Sequence, residues 1–312
     1  MPRTARIKSN SCIYHVMMRS ISDVKLFKNY KDKDKFLKIL KKYKTSFLFQ
    51  IYGYCLMDTH IHLIINPNGA DISKFMHNIN QCYAQYYNKT YNRTGHVFGD
   101  RFKSTIATND ISIMCMSAYL HNNPKDISGY KNCVENYEYS SFGIFIGKKL
   151  DKYNLVDVSF ILSYFHKDPI LARKRYYEFV KSRINSETTE IDINHALIIP
   201  KLSFSKDIYN KPVIRNAKPE QIINYLIENA GYKNSDIYSK FKRNASEFRS
   251  ICAFLMRIFC NYNYRQIQSI FSNISLSSIS ILCNKGYLII QHNPKYANIV
   301  SDFMDYHYDM II

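Results

Sequence analysis

The apolar pattern between Cys12 and Thr108 switches repeatedly between a period of two and a period of three to four, and that order restricts the fold more than any other feature of the chain. Cys12 to Met18 is rich in strand formers. Asp32 to Lys44 then spaces Phe36, Ile39, Leu40 and Tyr43 as one buried face of a helix. Phe47 to Met57 and His60 to Asn66 follow as strands around a short connection, and Pro67-Asn68-Gly69 ends the second. Asp71 is the expected N-cap of a helix reaching Asn88. His96 to Thr108 is expected to be extended, and Asp110 to cap a helix stopped by Pro124. The order β-α-β-β-α-β predicts an α+β fold, a ferredoxin-like antiparallel sheet with helices on one face and the other face free to carry a site.

The strand His60-Ile61-His62-Leu63-Ile64-Ile65 places His60 and His62 on one face, where a packed sheet would take apolar side chains. Neighbours at i and i+2 converge without help from the rest of the fold, as a metal site requires, yet the pair reads equally well as two packed imidazoles. On the helix before Pro124, Tyr119 and Asn123 stand one turn apart on one face. They suit a nucleophile and a third ligand, or a core aromatic and a helix C-cap.

Composition narrows the partner. Lysine and arginine number 43 against 25 acidic residues, a formal charge of +18, which suits a polyanion such as nucleic acid, although a bias toward Lys, Asn, Ile and Tyr inflates the count. The eight cysteines contain no Cys-x-x-Cys pair and read as reduced thiols in a cytoplasmic protein. The basic N-terminus is followed by no apolar core of the signal-peptide kind, and no stretch approaches the roughly 18 apolar residues of a membrane span, so no membrane is expected as partner.

The motifs from residue 1 to 150 resemble the single-strand DNA transposases of the HUH class with one catalytic tyrosine, in their REP-associated branch. The resemblance rests on Pro2-Arg3, Tyr14-His15-Val16 with Arg19, Leu56-Met57 leading into His60-Ile61-His62-Leu63, and Gly95-His96-Val97-Phe98. Arg101-Phe102-Lys103-Ser104, Tyr119 to Pro124, and Tyr137-Glu138-Tyr139-Ser140-Ser141-Phe142 complete it. It implies that His60, His62 and Asn123 bind Mg²⁺ or Mn²⁺ and that Tyr119 is the nucleophile. The family commonly has Pro-Asn where this chain has Asp58-Thr59, tryptophans where it has Phe98 and Tyr139, and an arginine where it has Asp126, which puts one local DNA contact in doubt.

The residue types suit this chemistry. A phenol with pKa about 10 is a poor nucleophile at neutral pH without help, and a Lewis acid on the scissile phosphate supplies that help. A phosphotyrosine bond conserves the energy of the phosphodiester, so strands rejoin without ATP. The implied activity is a metal-dependent endonuclease and strand transferase on single-stranded DNA near hairpins. A non-catalytic hairpin-binding regulator and a rolling-circle initiator of the same class are the alternatives. Arg3 and Arg6 in a basic arm, with Arg19, Arg93, Arg101 and Lys103, are candidate DNA contacts. The implied location is cytoplasmic, at the bacterial nucleoid, and a homodimer remains open.

Residues 151–215 read as a basic helix, Asp168 to Arg183, and a polar linker; 216–312 reads as a helical domain. Helical patterns at Pro219 to Asn229, Asn234 to Phe241 and Ala245 to Tyr262 precede two helices joined by Ser272-Asn273-Ile274-Ser275. This weakly resembles the DNA-binding domain of the replication initiator DnaA. As a helix-turn-helix on duplex DNA it would use Ser277, Ser278 and Ser280 toward bases and Arg265 and Lys285 toward phosphates; the alternative is a plain bundle.

Overall fold

The computed structural model describes residues 12–21, 24–184, 213, 215–233, 243–271 and 274–310. Arg3 and Arg6, the Asn234 to Phe241 helix and part of the Ser272 to Ser275 turn lie outside them. Contacts divide the chain into two units, 1–45 with 49–211 and 46–48 with 212–312.

The first unit begins β1 (Tyr14–Arg19), α1 (Tyr30–Phe47), β2 (Gln50–Leu56), β3 (His60–Asn66), α2 (Ile72–Thr90), β4 (Lys103–Ile106) and α3 (Asp110–Asn122). Its four strands pair antiparallel in the order β2-β3-β1-β4, the ferredoxin-like arrangement expected from the pattern. Register sorts the side chains. Val16 faces Leu63 and Met18 faces Ile61, and all four are buried on one side of the sheet. Between α1 and α2, Phe36 and Tyr83 meet edge to face at 5.4 Å. The other side carries His15, Met17 and Arg19 opposite Ile64, His62 and His60.

Two local expectations change. Asp71 caps α2 as expected, its carboxylate accepting from the Ser73 N–H at 2.8 Å. The cap of α3, however, is Asn109, whose side chain accepts from the Ser112 N–H at 2.8 Å, and Asp110 is the first helical residue, where its charge favours the helix dipole. Within the extended stretch from His96 to Thr108 only Lys103–Ile106 forms a strand, with Phe98 making an isolated bridge to Ser20.

The first unit also continues past residue 150. After α4 (Phe142–Phe145), α5 (Val158–Leu162) and α6 (Pro169–Ser182) follow, and Ile161, Phe165, Ala172, Tyr176 and Val180 share one core with Ala118, Leu120, Phe142 and Phe145. The basic helix expected between domains is thus α6, and its inward stripe covers α3. The reason is the apolar character of α3, which is buried nearly all round and needs cover on the side away from the sheet.

The second unit is all helix among its described residues: α7 (Pro219–Ala230), α8 (Arg243–Phe259), α9 (Tyr264–Phe271), α10 (Leu276–His292) and α11 (Ile299–Asp309). Phe248, Ile251, Cys252, Leu255, Ile258 and Phe259, the stripe expected on α8, are all fully buried. α10 crosses α8 at Gly286, where a β-carbon would stand 2.1 Å from the Ser250 carbonyl, so only glycine permits this approach. Ser275 caps α10 through the Ser278 N–H.

Candidate active site

β3 presents His60 and His62 on the face away from α1 and α2, at ring centroids 5.1 Å apart. His62 is 1% exposed and His60 half-buried. Burial, reinforced by His15, His60 and Arg19, pushes the His62 imidazole down to about 2. Burial and Arg19 also lower His60, opposed by Asp126. Both rings are therefore neutral at physiological pH, the state in which imidazole is a ligand.

α3 lies over this face. Residues 112–124 are all buried except Tyr119, which is 44% exposed. A tyrosine turned outward from an otherwise buried helix has lost its packing role at that position, which removes the reading of Tyr119 as a core aromatic. Its ring stands edge-on to both His15 and His62, at 5.8 Å from each. The helix is held firmly on either side of it. His121 places Nδ1 2.6 Å from the Tyr176 hydroxyl and Nε2 2.8 Å from Ser141 Oγ, and Asn122 donates to the Val180 carbonyl at 2.9 Å.

Asn123 donates its amide N–H to the Tyr119 carbonyl at 2.9 Å, the C-cap geometry that was one of its two expected uses. The side-chain oxygen is the donor type that hard cations take. Among the described residues no three His, Cys, Asp or Glu side chains form a group that would hold a metal. By donor type alone, two neutral imidazoles and an amide oxygen suit a weakly held divalent cation completed by water and phosphate oxygens, as Mg²⁺ prefers, rather than a closed structural site.

Of the expected DNA contacts, Arg19 is exposed opposite His60, and Lys103 is exposed on β4 opposite Met17, itself opposite His62. Both stand on the site face of the sheet. Arg101 is exposed just before β4, whereas Arg93 donates to the His96 carbonyl at 2.8 Å and braces its own loop. In the second unit Arg265 is exposed, the Ser277 and Ser278 hydroxyls lie 3.0 and 2.8 Å from Ser275 Oγ in the α10 cap, and Lys285 donates to Ser246 Oγ at 2.9 Å.

Two participants were not singled out from sequence. His15 lies beside His62, its Nε2 3.0 Å from His62 Nδ1. Lys33, 11% exposed in its side chain, donates to Asp58 at 2.8 Å and to the Tyr137 hydroxyl at 2.9 Å. The acid at position 58 thereby ties the turn before His60 to α1.

A ferredoxin-like sheet carrying an imidazole pair beneath a helix-borne, outward-turned tyrosine matches what the motifs imply, the HUH class with one tyrosine. Residues 8–123 match the family described as "Transposase IS200 like", a span that contains β1 to β4, α3 and every residue of the imidazole–tyrosine cluster. Over that span the chain is similar to the IS200-like transposases, and the resemblance inferred from its motifs holds. The solved "Structure of the REP associates tyrosine transposase bound to a REP hairpin" resembles the chain with 16% identity and a TM-score of 0.41, over 51% of this chain and 93% of that one. No curated protein matches. Among the described residues no helix is long and apolar enough to cross a membrane.

Proposed function

We propose that the protein is a tyrosine endonuclease and strand transferase acting on single-stranded DNA beside hairpins. The observation that carries this reading is Tyr119, exposed within the otherwise buried run of residues 112–124 and edge-on to His62 of the imidazole pair. The family similarity over residues 8–123 supports it.

Tyr119 Oη attacks the scissile phosphorus, forming a tyrosine ester with the 5′ phosphate and releasing a strand with a 3′ hydroxyl; the phenolic proton leaves to solvent. A 3′ hydroxyl reverses the step, breaking the ester and restoring a phosphodiester without a further energy source. His60, His62 and Asn123 would hold Mg²⁺ or Mn²⁺, which supplies Lewis-acid polarisation of the phosphate when bound. The braces at His121 and Asn122 fix the helix that aims Tyr119, so positioning is prepaid in the fold. Arg19 and Lys103 lie where a strand crossing the sheet face would pass.

Charge supports a polyanionic partner for the whole unit. Residues 35–57 and 72–99 contain no Asp or Glu, while Lys31, Lys35 and Lys38 are exposed in one row along α1. In the second unit, α9 and α10 with an exposed Arg265 support duplex binding in helix-turn-helix fashion. The test is a cleavage assay on single strands from both flanks of the protein's own gene, labelled at the 3′ end, in Mg²⁺ or Mn²⁺. A labelled protein–DNA adduct is expected with the wild type. Tight hairpin binding with no adduct from either flank would replace the enzyme with the non-catalytic regulator.

A further inference from the structure

His15 and His62 lie in one plane, their rings 1° apart in tilt with centroids 5.2 Å apart, and His15 Nε2 meets His62 Nδ1 at 3.0 Å. Register explains the contact: Met17 is directly opposite His62, so His15 is its diagonal neighbour on the same face. At this distance one proton sits between two ring nitrogens, and only two neutral arrangements exist. Either His62 carries it on Nδ1 and keeps a bare lone pair on Nε2, or His15 donates and His62 Nε2 holds a hydrogen that blocks coordination. The other imidazole is held in the same manner, since the Thr59 hydroxyl lies 3.1 Å from His60 Nδ1. Each ring of the pair is thus engaged at Nδ1 by a neighbour, which orients Nε2 of both outward. His121 differs, with both of its nitrogens engaged.

We propose that His15 is a positioning residue: it accepts the Nδ1 proton of His62, fixes that ring as the Nδ1–H tautomer and keeps Nε2 bare for a divalent cation. Thr59 performs the same office for His60. This rests on the reading of His60 and His62 as ligands and adds the groups that prepare them, a role which outer partners of metal-bound histidines commonly fill. His15 itself must then hold its hydrogen on Nδ1.

The first test needs no substitution and no metal. Long-range proton–nitrogen NMR on the metal-free protein with ¹⁵N-histidine reads the tautomer of each ring. His62 protonated at Nδ1 and bare at Nε2 is expected; protonation at Nε2, or a rapidly averaged mixture, overturns the proposal. The second test is Mn²⁺ titration followed by electron paramagnetic resonance of the free ion. His15→Leu is expected to weaken binding about 10- to 100-fold. His15→Gln, whose side-chain oxygen reaches the same place and accepts the same bond, is expected to stay within about threefold of wild type. Equal binding by His15→Leu and wild type overturns the proposal. A wild type with the expected tautomer that binds no Mn²⁺ leaves the role of His15 standing and removes the cation from the reading of the site.

Discussion

His62 and His121 lie in the same unit, both withdrawn from water, and their rings are held in different ways. His121 sits in the core between α3 and α6 with both nitrogens engaged, one by Tyr176 and one by Ser141. Burial pushes it down to about 3. His62 sits on the sheet face with a hydrogen bond at Nδ1 and, among the described residues, none at Nε2, beside an exposed tyrosine. Burial and a depressed pKa are common to the two, so neither distinguishes a site from a brace. What distinguishes them is whether the ring has coordination capacity left once the protein has satisfied itself.

The sharpest way to break that comparison is to separate chemistry from folding. Tyr119→Phe is expected to reduce adduct formation by at least about a thousandfold, because the only lost atom is the proposed nucleophile, while an exposed ring at 44% leaves the melting temperature within a degree or so. A gel for the covalent adduct and a thermal melt of the same preparation check both halves. His62→Ala against His121→Ala comes next. Both side chains are buried, so each truncation leaves a cavity and is expected to cost about 2–4 kcal/mol, and the second also removes the His121 partner of the Tyr176 hydroxyl; only the first is expected to abolish Mn²⁺ binding. Urea unfolding and Mn²⁺ titration of the two variants read stability and binding separately, and equal metal loss would erase the distinction.

Acid provides a smaller effect with a defined sign. His121 is held below its ordinary value of 6.5, so the unfolded chain takes up the proton that the native state refuses. Its contribution is complete above pH 6.5 and is lost as pH falls from there toward about 3, amounting to about 2 kcal/mol by pH 5. Urea unfolding at pH 7 and pH 5 is expected to show a loss that includes this contribution beside that of His62, and His121→Phe is expected to reduce it by about 2 kcal/mol. The smallest effect belongs to the partly exposed Lys33–Asp58 pair. Asp58→Asn is expected to cost no more than about 1 kcal/mol while loosening the turn before His60, seen as faster amide exchange at Thr59.

Much of this site was legible in the chain. Alternation fixed the shared face of His60 and His62, the helical spacing placed Tyr119 one turn before Asn123, and the motif order pointed to the family. The outward turn of Tyr119 was not legible, because a tyrosine among apolar helix residues has the same pattern whether it packs or not. His15 was quoted within a motif yet not as part of the site, since its nearness to His62 depends on the register of strands distant in sequence. That the first unit continues past residue 150 was not legible for a related reason. Basic residues on α6 suggested a connector, while the stripe Ala172, Tyr176 and Val180 that packs beneath α3 is short and easily overlooked. The Asn109 cap was displaced by one residue because Asn and Asp are both good caps and adjacent.

The central claim is that Tyr119 is the group that joins DNA. The most direct measurement is peptide mapping by mass spectrometry of the protein after reaction with a hairpin-bearing single strand from its own gene flank. A nucleotide 5′ phosphate on the peptide containing Tyr119 is the expected result; the same adduct on another residue, or its persistence in Tyr119→Phe, would contradict the account.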